Sequence, residues 1–389
     1  MEEKDAILRL TPKPPDWSIS WDALRRCGLG ALLSQMSGIP QDPAYHGEGD
    51  VLTHTQMVCE ALAGLDQFRK LNERKRQEVF LAALLHDIGK IRCTRLEDGR
   101  WTSPHHAAVG AAMARELLWL DYGWCGQPDW QALRETVCTL IRYHTLPLHA
   151  VYEADGARRL LKAAADGALL PDFSVELLCL LAKADILGRI CGDRAELLEV
   201  VELCEVMAEE YGCLAGPRPF PSRHTAYSYF SGKLELPDYE LYDAAWGEVI
   251  LMCGLPGTGK DTWIASRYPS MPVVSLDAIR AELGISPEGP QKRAADEAKA
   301  RSKALLRGKR PFVWNATNVS ADLRRGLVEL FTAYHASVRI VYLETEWEEE
   351  RRRNANRAAV VPERAILRML SKLTPPEGFE AHGVEWRCT

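Results

Sequence analysis

The rhythm of apolar and polar positions changes once along the chain. From Asp50 to about Gly212 apolar residues recur at helical spacing, with few strand signals. Two stretches there are apolar around the whole helix, Leu81–Leu85 in EVFLAALLHDIGK and Leu177–Leu181 in VELLCLLAKADILGR. Both predict central, buried helices. Gly89 is placed to stop the first, Asp50 suits the N-cap of a helix carrying His54, and His106 opens another. Residues 1–45 are mixed. Pro12, Pro14 and Pro15 break any early helix, and Trp17–Met36 leaves room for one short one.

From Glu248 the pattern alternates strand and helix. Strands are expected at Val249–Met252, Pro272–Leu276, Phe312–Thr317 and Ser337–Glu344. Helices are expected near Ala278–Leu283 and Arg293–Leu306, from Ser320, and over Trp347–Arg357 and Pro362–Leu373. Such alternation implies a parallel sheet covered on both faces. Between the halves, Gly216–Ser222 is proline-dense and stiff. The following stretch holds Tyr227, Tyr229, Phe230, Tyr239, Tyr242 and Trp246. These aromatics pack between the domains or along the sheet of the second, or else stack bases, packing being their commoner use. The expected organisation is multidomain: an all-α domain over residues 1–215, a Pro/aromatic-rich connector over 216–247, and an α/β domain over 248–389.

Composition adds little to that picture. The 389 residues are 47% apolar and 26% charged, ordinary for a globular chain, and no apolar run reaches membrane-spanning length. Eleven cysteines without a CxxC pair, behind a charged N-terminus, read as reduced thiols in cytoplasm, with no membrane association. The net charge of −6 argues against a broad nucleic-acid footprint but leaves room for a local grip on a few phosphates.

The stretch EVILMCGLPGTGKDT (Glu248–Thr262) is a P-loop in its required context, with a strand before it and a helix after. Gly254, Pro256, Gly257, Thr258 and Gly259 form a loop whose amides turn inward on ATP or another NTP, and Lys260 reaches the β/γ-phosphates. A Ser or Thr normally follows the lysine to ligate Mg²⁺; here Asp261 and then Thr262 follow. Either Asp261 holds the metal as a hard oxygen ligand, or it caps the helix and Thr262 serves instead. Asp277 closes the second strand, where an acid can accept a proton from an attacking hydroxyl. Arg280 shares its helical face and suits an acceptor phosphate. Asn315, Thr317 and Asn318 end the third strand at the same edge. Arg351, Arg352, Arg353 and Arg357 crowd one helix beside Glu348–Glu350. They face anions or pair with the glutamates.

In the first half, His86-Asp87 ends a buried helix, a costly placement unless something compensates it. A divalent metal would. His54, Asp185, His106 and His144 are of the right type to join them, and imidazoles with carboxylates suit Mn, Co, Ni, Fe or Zn. Lys90 either holds a substrate phosphate or is a solvated helix-end cation.

The order His54 … His86-Asp87 … Asp185 resembles the HD phosphohydrolase superfamily. The stretches GDVLTHTQMV, LAALLHDIGK, HHAAVGAAMARELL, IRYHTLPLH and ADILGR resemble the HD domain attached to bacterial tRNA nucleotidyltransferases. The resemblance implies that His54, His86, Asp87 and Asp185 hold one metal. His106 and His144 would hold a second, or contact substrate phosphate. ERRRNANR with VPERAILRMLSKLTPPEGFEAH resembles the helical lid of P-loop polynucleotide kinases, whose arginines clamp ATP; that implies Arg353 and Arg357 as the clamp here. The motif order as a whole is similar to bacterial HD–polynucleotide kinase fusions that heal RNA ends. That implies 5′-OH phosphorylation of RNA or DNA ends by one half. It implies removal of 2′,3′-cyclic phosphate or 3′/2′-phosphate by the other, upstream of a ligase. Two alternatives stand beside it: a nucleoside or other small-molecule kinase fused to a nucleotide phosphohydrolase, and an ATP-sensing regulator of an HD hydrolase.

Overall fold

The computed structural model describes residues 4–286, 289–357 and 360–389. The first three residues of the charged N-terminus therefore lie outside the described residues. The chain divides into two compact units. One comprises residues 1–124 and 129–218, the other residues 125–128 and 219–389.

The first unit is a helical bundle. The helix Val51–Gly64 is capped by Asp50, whose side chain accepts from the Thr53 N–H. It packs with Glu73–Leu85 and Val175–Leu187, and both apolar stretches lie in the core: Leu81–Leu85 and Leu177–Leu181 are buried. Further helices run over His106–Leu120 and Pro128–Tyr143. The unit is not wholly helical. Strands β1 (Arg95–Glu97) and β2 (Arg100–Thr102) form an antiparallel hairpin directly after the His-Asp pair.

Gly89 does not stop a helix in the left-handed conformation. The helix Glu73–Leu85 has already ended, and Gly89 has φ −63°. Its missing side chain serves another purpose: a Cβ there would lie 2.0 Å from the His106 carbonyl oxygen and 2.7 Å from the Gly110 nitrogen. Only glycine lets the segment after Asp87 touch the start of the His106 helix.

In the second unit five parallel strands lie in the order β4-β5-β3-β6-β7. They are β3 (Glu248–Cys253), β4 (Val273–Ser275), β5 (Phe312–Asn315), β6 (Ser337–Glu344) and β7 (Gly383–Cys388). β3 is central, with Leu251 opposite Trp314 of β5 and Ile340 of β6. Val249–Cys253 are all buried, as a strand covered on both faces requires. β7 was not foreseen from the sequence; it is the edge strand beside β6.

Asp277 does not end a strand. β4 closes at Ser275, whose hydroxyl caps the helix Leu276–Leu283, so Asp277 sits in that helix's first turn. The connector is not a separate body from Pro219 onward, because it belongs to the second unit. Its helix Arg223–Phe230 lays Tyr227 against His382, with ring centroids 4.5 Å apart, and Phe230 against Phe379 at 5.6 Å. Trp246 donates its indole N–H to the Tyr334 carbonyl.

Candidate functional sites

Four imidazoles and two carboxylates converge inside the first unit. His54 comes from the Val51–Gly64 helix, His86 and Asp87 from the turn after Glu73–Leu85, and Asp185 from Val175–Leu187. His106 opens its helix and His144 follows Tyr143. His54 Nε2 lies 3.0 Å from Asp185 Oδ1 and 3.7 Å from Asp87 Oδ2. His86 Nε2 lies 3.3 Å from Asp87 Oδ2 and 3.4 Å from His54 Nε2. On the other side of Asp87, His106 Nε2 is 3.5 Å from Oδ1 and 3.3 Å from His144 Nε2. Asp87 thus belongs to two groupings, one with each carboxylate oxygen.

The outer ring nitrogens fix the tautomers. Nδ1 of His86, His106 and His144 meets the carbonyls of Ala83, Ser103 and Ile141 at 2.8, 2.8 and 2.7 Å. His54 Nδ1 lies 2.8 Å from Glu48 Oε1, which also meets His46 Nδ1. The rings of His86, His106 and His144 each set Nδ1 on a carbonyl and turn Nε2 to the centre. The facing Nε2 lone pairs of His106 and His144, 3.3 Å apart, repel unless a cation lies between them. Asp87 Oδ1 is moreover buried with no hydrogen-bond partner. The donor set therefore fits divalent metal: imidazole and carboxylate, tautomers preset, and a buried oxygen unsatisfied by protein.

The electrostatics agree on the side of His106 and His144, while Asp185 and Glu48 raise His54 against burial. Burial, then the neighbouring His86 and His106, push His144 down to about 3, and burial likewise lowers His106. Both stay neutral, as ligands must. Burial raises Asp87, but Lys90, His86 and His106 outweigh it and hold the carboxyl well below its usual range. Asp185 is held down in the same way by Arg189 and His54 against burial. Lys90 is not a solvated helix-end cation. It is buried, with Nζ 2.7 Å from Asp87 Oδ2 and 2.7 Å from Gln41 Oε1.

Sequence reasoning gave no role to Glu48, Gln41 or Arg189. The loop carrying Glu48 reaches the site because Gly47 donates to the Ile190 carbonyl and the Ile190 N–H donates to Glu48. His46-Gly-Glu48 just before the Asp50 cap was the available signal. His105 and His149 are exposed.

In the second unit the P-loop leaves the carboxyl end of β3. Gly254, Gly257 and Gly259 have φ of 145°, 89° and 77°. A Cβ on Gly257 would lie 2.9 Å from the Glu350 carbonyl oxygen. Pro256 is buried, and Thr258 donates its hydroxyl to the Leu255 carbonyl. Lys260 begins the next helix and folds back, with Nζ on the carbonyls of Gly254 (2.9 Å) and Leu255 (2.7 Å). Burial pushes its ammonium down to about 8. Asp261 Oδ1 accepts from Asn315 Nδ2 at 2.6 Å, which ties the residue after the lysine to the end of β5. Thr262 is exposed on the same helix. Asn318 is used structurally, donating to the Met252 carbonyl, while the Thr317 carbonyl accepts from Gly254 N–H.

Asp277 is gripped by two arginines: Arg280 on Oδ1 and Arg357 on Oδ2, the latter at 3.0 Å. Arg351 and Arg352 pair with Glu348 and Glu349, the rival use weighed from the sequence. Arg353 divides its guanidinium between Glu349 Oε1 (2.6 Å) and Thr389 Oγ1 (3.1 Å), and that hydroxyl donates to the Thr258 carbonyl of the P-loop. Arg353 and Arg357 are therefore the two of the four that touch the P-loop surroundings or Asp277.

Residues 51–187 match the HD domain and residues 249–376 match the AAA domain. The chain joins an HD domain to a P-loop domain of kinase-like fold. It is similar to the Multifunctional CCA protein of Teredinibacter turnerae, 33% identical over 174 residues, 43% of this chain and 37% of that protein. The Multifunctional CCA proteins of Halorhodospira halophila and Hahella chejuensis are 41% and 37% identical over 73 and 86 residues. Those stretches are 18% and 22% of this chain, and 16% and 18% of the relatives. The chain thus spans little more than a third of the relatives' length at most. Among the described residues, no helix is long and apolar enough to cross a membrane.

Proposed function

We propose that this chain heals broken nucleic-acid ends. The second unit transfers the ATP γ-phosphate to a 5′-OH, and the HD unit hydrolyses 2′,3′-cyclic phosphate and 3′/2′-phosphate ends. The observation that carries the reading is the cluster around Asp87, a phosphoester-hydrolysing donor set on the same chain as a P-loop and a poised acid. RNA is the preferred substrate, on the resemblance of the motifs to the HD domain attached to tRNA nucleotidyltransferases.

In the HD unit, one or two divalent ions held by His54, His86, Asp87 and Asp185, and by His106 and His144 with Asp87, would supply Lewis acidity and an activated water. Asp87 would serve both groups, with Oδ2 beside His54 and His86 and Oδ1 beside His106. Lys90 fixes its Oδ2 edge, and Arg189 fixes Asp185. The three backbone carbonyls keep the rings of His86, His106 and His144 in the metal-accepting tautomer, and Glu48 lies against His54.

In the kinase unit, Lys260 exchanges its two carbonyls for β/γ-phosphate oxygens, and the amides of Gly254–Gly259 hold the rest. Asp261, oriented by Asn315, would hold Mg²⁺. Asp277 Oδ2 takes the proton of the attacking hydroxyl, Arg280 holds an acceptor phosphate, and Arg353 with Arg357 clamps the transferring group. The product ends, 3′-OH and 5′-phosphate, suit a ligase.

The test is direct. Labelled ATP is offered with a 5′-OH oligonucleotide or with free nucleosides, and the metal-loaded chain is offered a 3′-phosphate oligonucleotide. Label on nucleosides alone would replace this reading with a small-molecule kinase. ATP-dependent phosphoester hydrolysis without any acceptor labelling would replace it with a nucleotide-sensing hydrolase.

A further inference from the structure

The hairpin β1–β2 lies in the sequence between Asp87 and His106, and it has no role in the mechanism above. Its Asp98-Gly99 turn has φ of 49° and 79°, the left-handed pair that closes a tight two-residue hairpin. Side chains alternate between its faces. One face is polar: Glu97 accepts from Arg95 at 2.8 Å and from the Thr102 hydroxyl at 2.8 Å. The other presents Leu96 directly opposite Trp101, exposed by 59% and 38%.

A two-stranded hairpin is marginal by itself. This one is rooted on the site. The hydroxyls of Thr94 and Ser103 meet at 2.9 Å, and the Ser103 carbonyl accepts from Nδ1 of His106 at 2.8 Å. The bond that sets the tautomer of a candidate ligand is thus made by the residue that ends the hairpin. Trp101 stands two residues from Ser103, about 7 Å along the strand. That is the scale of one nucleotide.

Charge points the same way. On a chain of net charge −6, the segment 90–103 carries exposed Arg92, Arg95 and Arg100 against Glu97 and Asp98; Lys90 is buried on Asp87, and Arg95 and Arg100 alternate to the Glu97 face, at the edges of the Leu96–Trp101 pair. A bare aromatic–aliphatic pair flanked by cations is the combination that holds single-stranded nucleic acid, the ring taking a base and the cations the backbone.

We propose that Leu96 and Trp101 form the stacking platform for the nucleobase at the strand end whose phosphate enters the Asp87 site. This rests on the proposed hydrolysis of nucleic-acid ends and adds the feature that selects them over other phosphoesters. The platform is sequence-tolerant, since every base offers a flat face.

The full chain is loaded with Mn²⁺ and given two fluorescent oligonucleotides, one with an ordinary 3′-phosphate end and one whose terminal nucleotide is abasic. Binding is followed by anisotropy and hydrolysis by kcat/KM. The wild type favours the ordinary end by roughly tenfold, carried in KM. Trp101→Ala abolishes that preference, Leu96→Ala reduces it, and Trp101→Phe keeps most of it. Equal treatment of the two ends by the wild type overturns the platform, as does a Trp101→Ala change that weakens both ends alike. If neither end is hydrolysed but the Trp101-dependent preference persists in binding, the platform stands and the hydrolytic reading falls.

Discussion

His106 Nε2 lies 3.3 Å from His144 Nε2, and each ring's Nδ1 meets a backbone carbonyl. Two lone pairs held face to face in a buried site are a strained arrangement that a cation relieves. Adding Mn²⁺, Ni²⁺, Co²⁺ or Zn²⁺ to chelator-treated protein should therefore raise the melting temperature of the helical unit. An ion at a hundred times its dissociation constant stabilises by about 2.7 kcal/mol, a rise of ~5–10 °C for a domain of this size. His86→Ala should abolish the rise and the phosphoesterase together while kinase activity persists. A chelated sample with full phosphoesterase activity would refute the metal assignment.

Gly89 meets the His106 helix closely enough that a methyl group has no room. The obstacles are backbone atoms, which cannot swing aside. Gly89→Ala should cost about 3 kcal/mol or more in denaturant unfolding of the helical unit. It should also displace His106, so the phosphoesterase falls more than the stability loss accounts for. Full activity and stability in Gly89→Ala would mean that the close approach is not a feature of the working protein.

What the sequence revealed and what it concealed follow one physical division. The all-round apolar stretches around Leu81–Leu85 and Leu177–Leu181 fold as buried helices because burial on every side leaves few other solutions. The P-loop strand is legible for the same reason. The edge strand β7 escaped because its residues are only partly buried and carry no continuous apolar run. The hairpin escaped because Leu96 and Trp101 face solvent, so no core enforces their alternation. At the sites, residues within one motif were readable: His86 with Asp87, Gly254 through Lys260. Glu48, Gln41 and Arg189 were not, because their parts depend on chain paths, such as the Gly47–Ile190 contact, that local spacing does not encode.

Glu350, on the helix Trp347–Ala355 behind the P-loop, is buried with neither carboxyl oxygen hydrogen-bonded. Burial raises it to about 8, with Lys260 opposing and Glu344 assisting. A carboxyl raised from 4.5 to about 8 binds more protons folded than unfolded across that interval. Stability is therefore greatest below pH 4.5 for this group and is lost as pH rises through about 8. Glu350→Gln, neutral throughout, should unfold with a flatter pH dependence than wild type and be the more stable of the two above pH 8. Parallel urea-unfolding curves for the two proteins from pH 5 to pH 8.5 would show that Glu350 does not titrate in this range.

Asp277 and Arg357 make the sharpest test of the kinase unit. Arg357 Nη2 holds Asp277 Oδ2 at 3.0 Å, and Arg280 holds Oδ1, so each oxygen has one side filled by a guanidinium. The second lone pair of Oδ2 is left for the attacking hydroxyl. If ATP phosphates draw Arg357 away, one change serves two ends: the guanidinium meets developing charge, and Oδ2 is left wholly to the hydroxyl. Asp277→Ala should then lower kcat for 5′-OH phosphorylation by about 10²- to 10⁴-fold with the KM for ATP little altered. Arg357→Ala frees the base but removes the clamp, so it should lower kcat by roughly 10²- to 10³-fold and raise the KM for ATP as well. Phosphoesterase activity measured in the same preparations should persist in both. Should Arg357→Ala instead turn over faster than wild type, the arginine restrains Asp277 without serving ATP. Should Asp277→Ala retain most of its kcat, the proton acceptor lies elsewhere.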